Sequence, residues 1–232
     1  IPSKVIQATE NAPVSIPDPI LKVGETVVHM HLSGYRKELA QEANLYLNTL
    51  MNGQQPYTAA INPETGEATF KFWQYGSAQA LISVGMGTGH IWLAPGEETD
   101  VYMDMRRSGQ MILKRRTEKK QLPPFEMTPA CYATGTYAGL LSPSLYSDKY
   151  YSMNLYSGDF ADYKMTASEY TQHVINLYQA LSDSIAHSSL PTAGKEMAML
   201  NLKQEAVKAM AQGDFFREHN YRKVNNQWDR SQ

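Results

Sequence analysis

The stretch SVGMGTGHIWLAPGEE, residues 83–98, decides how the first half of this chain folds. Its core, Gly85-Met86-Gly87-Thr88-Gly89, reads either as a phosphate-cradling loop or as a turn between two strands. A phosphate loop needs a following helix whose free N–H groups and positive dipole end face the anion. Here the glycines run instead into His90-Ile91-Trp92-Leu93-Ala94 and then Pro95-Gly96, a short apolar run closed by turn residues. That is the pattern of a strand. No Gly-Lys-Ser/Thr ending is present. The stretch is therefore expected to be a glycine-rich hairpin tip in which one or more glycines take positive φ.

Outward from this tip the pattern stays β. Between Thr26 and Leu32, Val28, Met30 and Leu32 alternate with Val27, His29 and His31, which predicts a strand with one buried face. Further strands are expected near residues 43–50, 56–61, 68–74, 78–84, 89–94, 98–105 and 110–115. Asn62-Pro63-Glu64-Thr65-Gly66-Glu67 supplies hairpin-type turn residues. Residues 1–22, with Pro2, Pro13, Pro17 and Pro19, are expected to lie extended over the surface. Residues 1–116 thus read as an antiparallel β-sandwich-like domain with an extended N-terminal arm.

The C-terminal third is helical. Thr166-Ala167-Ser168-Glu169 fits a capping box, with Met165 and Tyr170 at the hydrophobic-staple positions. Tyr170, Val174, Leu177, Leu181 and Ile185 then form one stripe of a helix. A second helix is expected from about Pro191 to Gln212 with Gly213 as its stop, and a third, capped by Asp214, contains Phe215, Phe216, Tyr221 and Val224. Between the two regions, residues 117–165 read as a connecting segment, entered through the charged run Arg115–Lys120 and Pro123-Pro124. The fold class is α+β: a β-sandwich-like domain followed by a helical region over residues 166–232.

Composition narrows the function. The 232 residues include 21 basic and 23 acidic side chains, a formal net charge of −2, so no general nucleic-acid surface is indicated. No apolar run reaches the length of a membrane span. The single Cys131 excludes a disulfide within the chain, a Cys-x-x-Cys pair and a multi-thiolate metal site. The opening Ile1-Pro2-Ser3 reads as a processed or trimmed end.

Candidate chemistry is sparse. His29 and His31 share one strand face, yet a metal site needs a third ligand and none is identifiable nearby, so neither a metal nor a cofactor is expected. Cys131 in Thr128-Pro129-Ala130-Cys131-Tyr132 lacks a nucleophile context and reads as a small buried apolar residue. Asp100 and Asp104, with Tyr102 between them, read as a solvated face rather than an acid–base pair. Aromatic side chains such as Trp73, Trp92, Tyr150 and Tyr151 are of a kind that stacks on a sugar or peptide, although Trp92, inside an apolar strand, reads rather as core. His90, Trp92 and Trp73 are the candidate ligand-binding residues, and no catalytic set is assigned.

Taken in order, the strand and turn Ile91–Tyr102, the segment Tyr132-Ala133-Thr134-Gly135-Thr136-Tyr137-Ala138-Gly139, the helix Met165–Tyr178 and the segment Asp214–Arg222 resemble the N-terminal part of TlpA-like, thioredoxin-domain proteins exported by Bacteroides-type bacteria. The resemblance runs from about residue 24 to the end. In that family a β-rich domain and a helical segment precede a thioredoxin domain carrying the Cys-x-x-Cys. That domain is missing from this sequence, and the family's catalytic residues map onto no position in it. The resemblance implies a non-catalytic accessory or interaction region of an exported protein, in the periplasm or on the outer-membrane or extracellular face. Its partner would be a C-terminal thioredoxin domain or another exported protein, with no nucleic acid. The alternative is an independent extracytoplasmic module that binds a glycan or peptide.

Overall fold

A computed structural model describes residues 1–38, 40–49, 53–118, 131–146, 151–155 and 161–225, the side chains of 111, 114–118 and 161 apart. They fall into two compact units, one within Ile1–Asp148 and the other within Lys149–Gln232. The fold is α+β.

The first unit is built from two four-stranded sheets. Its strands are β1 (Gly24–Ser33), β2 (Glu42–Thr49), β3 (Gly53–Ala60), β4 (Glu67–Gln74), β5 (Ala78–Val84), β6 (Gly87–Leu93), β7 (Glu98–Asp104) and β8 (Cys131–Ala133). One sheet runs β4-β1-β7-β8 and the other β3-β2-β5-β6. Every pairing is antiparallel except β1 with β7, which is parallel, so the antiparallel expectation fails at that one ladder. The two strands come from distant parts of the chain, so no hairpin dictates their direction. Alternation places Val28, Met30 and Leu32 of β1, Phe70 and Phe72 of β4, and Val101 and Met103 of β7 in one core with Leu45, Leu47, Ile82, Ile91 and Leu93 of the other sheet. Each such aliphatic side chain, fully buried, contributes about 1.5–3 kcal/mol.

The glycine-rich stretch is a hairpin tip. Val84 pairs with Gly87, leaving Gly85-Met86 as a two-residue turn. Gly85 has φ +56, and Met86 does not share the positive φ. This is the pattern of a type II′ turn, which requires glycine first. Gly87 and Gly89 serve packing instead. A Cβ on Gly89 would stand 2.8 Å from Cβ of Cys131, and one on Gly87 3.2 Å from Cε of Met103. The bare backbone of β6 thus lets β8 close the edge of the facing sheet.

Three expectations are corrected. Residues 110–115 are not a strand but part of a helix, α2 (Met105–Glu118), following α1 (Ser3–Glu10) in the chain. Asp104 Oδ1 accepts the N–H groups of Arg106 (2.9 Å) and Arg107 (3.0 Å), capping α2 and ending the β run. The N-terminal arm is not extended throughout: α1 buries Val5 and Thr9. The Thr9 hydroxyl accepts from Ala133 N (3.0 Å) and lies 3.2 Å from Ala133 O, covering the outer edge of β8. Asn62–Glu67 is a tight turn, with Asn62 Oδ1 accepting from Glu64 N at 2.9 Å, but it joins strands of different sheets and so is no hairpin. Within the segment 117–165, Cys131–Ala133 is a strand of the first unit and 151–155 belongs to the second. The remainder of the charged run, Lys119 and Lys120, and Pro123-Pro124 lie outside the described residues.

The second unit holds α3 (Ala167–Ala186), α4 (Thr192–Ala211) and α5 (Gly213–Val224). The capping box is present: Thr166 Oγ1 accepts from Glu169 N, and Glu169 Oε2 accepts from Thr166 N at 2.8 Å. Tyr170, Val174 and Ile185 are buried with Met153, Leu202 and Ala209. Glu205 on α4 accepts from Ser152 Oγ (2.8 Å) and Met153 N (2.6 Å), tying 151–155 to the helices. Buried Asn220 donates to Asp162 Oδ2 at 2.9 Å. Gly213 is not a left-handed stop; it opens α5, where a Cβ would meet Tyr170 Cε1 at 2.8 Å. Asp214 lies in the first turn of α5, whose N-cap is Gln212.

Gly89→Val is expected to destabilise the first unit by about 1–3 kcal/mol in urea denaturation, because the new methyls must displace Cys131. Met86→Ala, at the exposed tip, should change stability by less than about 0.5 kcal/mol. Equal effects of the two would show that the gap over Gly89 is not tight. In the second unit, Thr166→Ala should cost about 1 kcal/mol, read from the helical circular-dichroism transition. The backbone N–H of Thr166, and then its hydroxyl, hold Glu169 below its ordinary carboxylate pKa of 4.5. The cap's contribution is therefore present above that value and should fade as pH drops through the lower folded pKa.

Candidate functional site

The outward positions of β4, β1 and β7 form one polar and aromatic sheet face. Register places Trp73 beside Glu25, Lys71 beside Val27 and Glu98, Thr69 beside His29 and Asp100, and Glu67 beside His31 and Tyr102. Successive rows are about 7 Å apart, two residues of an extended strand.

Two histidines organise the acidic part. His29 Nε2 lies 2.6 Å from Glu98 Oε1 and its Nδ1 3.3 Å from Thr69 Oγ1. His31 Nε2 lies 3.1 Å from Asp100 Oδ1, and its Nδ1 3.3 Å from Glu67 Oε1. A neutral imidazole donates through one nitrogen only, so His31 donates to both carboxylates only when both nitrogens carry protons. The His31 ring stacks on Tyr102, with centroids 4.4 Å apart. Burial, followed by the charges of Asp100 and Glu67, raises the pKa of Tyr102. Lys71 Nζ pairs with Glu25 Oε2 at 3.0 Å. Each imidazole nitrogen already faces a carboxylate or hydroxyl, and among the described residues no group of three or more His, Cys, Asp or Glu could hold a metal ion.

Where β1 and β4 meet at Gly24 and Gln74, the face turns apolar. Trp73 is 59% exposed, Tyr75 69%, Val23 61% and Leu21 83%. Leu21 Cδ2 lies 3.5 Å from where a Cβ on Gly76 would stand, which brings the arm alongside Tyr75-Gly76. Leu21 beside Gly76, with Tyr75 and Trp73 exposed just before it in the chain, leaves large apolar side chains in water at this end of the face, and such patches mark interaction sites.

The three residues singled out from sequence are not brought together. Trp73 lies on the outer face of the β4-β1-β7-β8 sheet. His90, opposite Leu81, and Trp92, opposite Gln79, belong to β6 in the other sheet, on the positions that alternate with its buried residues. Surrounding protein atoms lower the pKa of His90. Asp100 accepts from His31 and Asp104 caps α2, two roles that a solvated-face reading misses. Tyr75, Val23 and Leu21 also escape the sequence reading; they lie just outside β4 and β1, where strand alternation no longer applies. Tyr150 lies outside the described residues, and Tyr151 is half-buried against the helical core.

Cys131 is buried on the inner side, 3% exposed, and desolvation pushes its pKa up to about 12. At neutral pH it is a thiol enclosed by apolar groups, the state least suited to attack. No helix among the described residues is long and apolar enough to cross a membrane. Comparison with protein-family models and with curated proteins finds no match to this chain.

In the native protein Cys131 should fail to react with a thiol reagent such as Ellman's at pH 8 and should react fully in urea. Stoichiometric reaction without denaturant would overturn its placement in the core.

Proposed function

We propose that this chain is a non-catalytic interaction region of an exported protein of the TlpA-like, thioredoxin-domain class, in which a separate redox domain carries the thiol chemistry. The observation that carries this reading is the set of exposed apolar and aromatic side chains Leu21, Val23, Trp73 and Tyr75, at and just beyond the ends of β1 and β4. Two further features support it. The order of a β-rich unit before a capped helical unit matches the resemblance in the sequence, and Cys131 is enclosed while disulfide exchange requires an accessible thiolate. The same resemblance implies an address in the periplasm or on the outer-membrane or extracellular face.

The patch also favours a second reading, an independent module that binds a glycan or peptide without a redox domain. The reading frame beyond Gln232 separates the two. The first expects a Cys-x-x-Cys domain there, and insulin reduction by the whole protein that survives Cys131→Ala. This 232-residue chain alone should not reduce insulin with a dithiol donor. Turnover by the chain that disappears in Cys131→Ala would overturn the non-catalytic reading, and a stop codon after Gln232 would overturn the thioredoxin association.

A further inference from the structure

The two parts of the β4-β1-β7 face, aromatic and acidic, recognise the same kind of group. An indole or phenol face attracts a cation through its quadrupole, Trp most strongly, and carboxylates pair with the same cation directly. Here Trp73 and Tyr75 stand at one end, with Glu25 in the Trp73 row and paired with Lys71, and the carboxylates of Glu98, Asp100 and Glu67 occupy the rows beyond. The histidines orient three of these carboxylates without neutralising them unless protonated.

We propose that this sheet face docks a basic polypeptide segment, its Lys or Arg side chains lying against Trp73 and the carboxylates of Glu25, Glu67, Glu98 and Asp100, and an apolar side chain resting on Leu21 and Val23. The proposal rests on the interaction-region reading and gives it a partner chemistry. Charge complementarity selects the occupant. An isologous contact between two copies through this face would set carboxylates against carboxylates, and a nucleic acid would bring further negative charge. Row spacing fits as well: every second side chain of an extended segment advances by about 7 Å, one row of the face. The negative field at Tyr102, from Asp100 and Glu67, agrees in sign.

The test uses the 232-residue chain and two synthetic octapeptides, Lys-Phe-Lys-Ser-Lys-Phe-Lys-Ser and its Glu-for-Lys counterpart, with binding measured by calorimetry. The basic peptide is expected to bind at least about tenfold more tightly than the acidic one, and to weaken as salt is raised. Trp73→Ala and the double variant Glu67→Gln/Asp100→Asn should each weaken it at least about fivefold, while Met86→Ala, at the distant tip, leaves it unchanged. Equal binding of the two peptides, insensitivity to Trp73→Ala, or no saturable binding by about 1 mM overturns the proposal. So does salt-independent binding of a neutral oligosaccharide lost in Trp73→Ala, which assigns the face to a glycan, or a concentration-dependent dimer lost in that variant, which assigns it to a second copy. None of these outcomes depends on the reading frame beyond Gln232, so this proposal and the thioredoxin association can fail separately.

Discussion

The apolar layer between the two sheets is the interaction on which the rest of the first unit depends. Val28 and Met30 from the centre of one sheet and Leu45 and Ile82 from the centre of the other are fully withdrawn from water. Their burial makes β1 the organising strand, because it pairs on both sides, antiparallel with β4 and parallel with β7. A one-residue slip in either ladder would turn Val28 and Met30 to solvent and His29 and His31 into the core. The outer face is therefore as strongly specified as the inner one, although its own contacts are exposed and individually weak.

The core also accommodates polar groups, at its margin. Gln74 is buried at the end of β4 and donates to Leu93 O across the sheets at 2.9 Å, and Thr26 lies 3.1 Å from its Oε1. Leaving such an amide unpaired would cost about 1–3 kcal/mol, so the pair also fixes where the ladder ends. Immediately beyond it, Trp73 and Tyr75 flank Gln74 in sequence and face water. The exposed patch begins where the buried network stops, and its position is thus inherited from the core.

Much of this is legible in the residues themselves. The alternation of β1 identifies both of its faces, and the Thr166–Glu169 box fixes the start of α3, because each depends on neighbours within a few positions. The glycine-rich tip is legible as a turn for the same reason. Its positive φ belongs to Gly85, however, while Gly87 and Gly89 are small because Met103 and Cys131 come up against them from strands elsewhere in the chain. Helix α2 escapes a period-based reading because Gln110–Arg115 suits either state, and the deciding element is the Asp104 side chain on the first turn.

Local pattern determined the α+β class, the strands that alternate and the capped helix, since these follow from periodicity and capping chemistry. Only the tertiary structure decided the parallel pairing of β1 with β7, the bridging of β8 by Thr9 and the composition of the candidate face. Those rest on contacts between residues far apart in the chain, such as His31 with Glu67 and Asp100, whose register no local rule supplies. The same cause separates Trp73 from His90 and Trp92: the sequence marks all three as candidate ligand-binding residues, and the assignment of their strands to different sheets is made by the core.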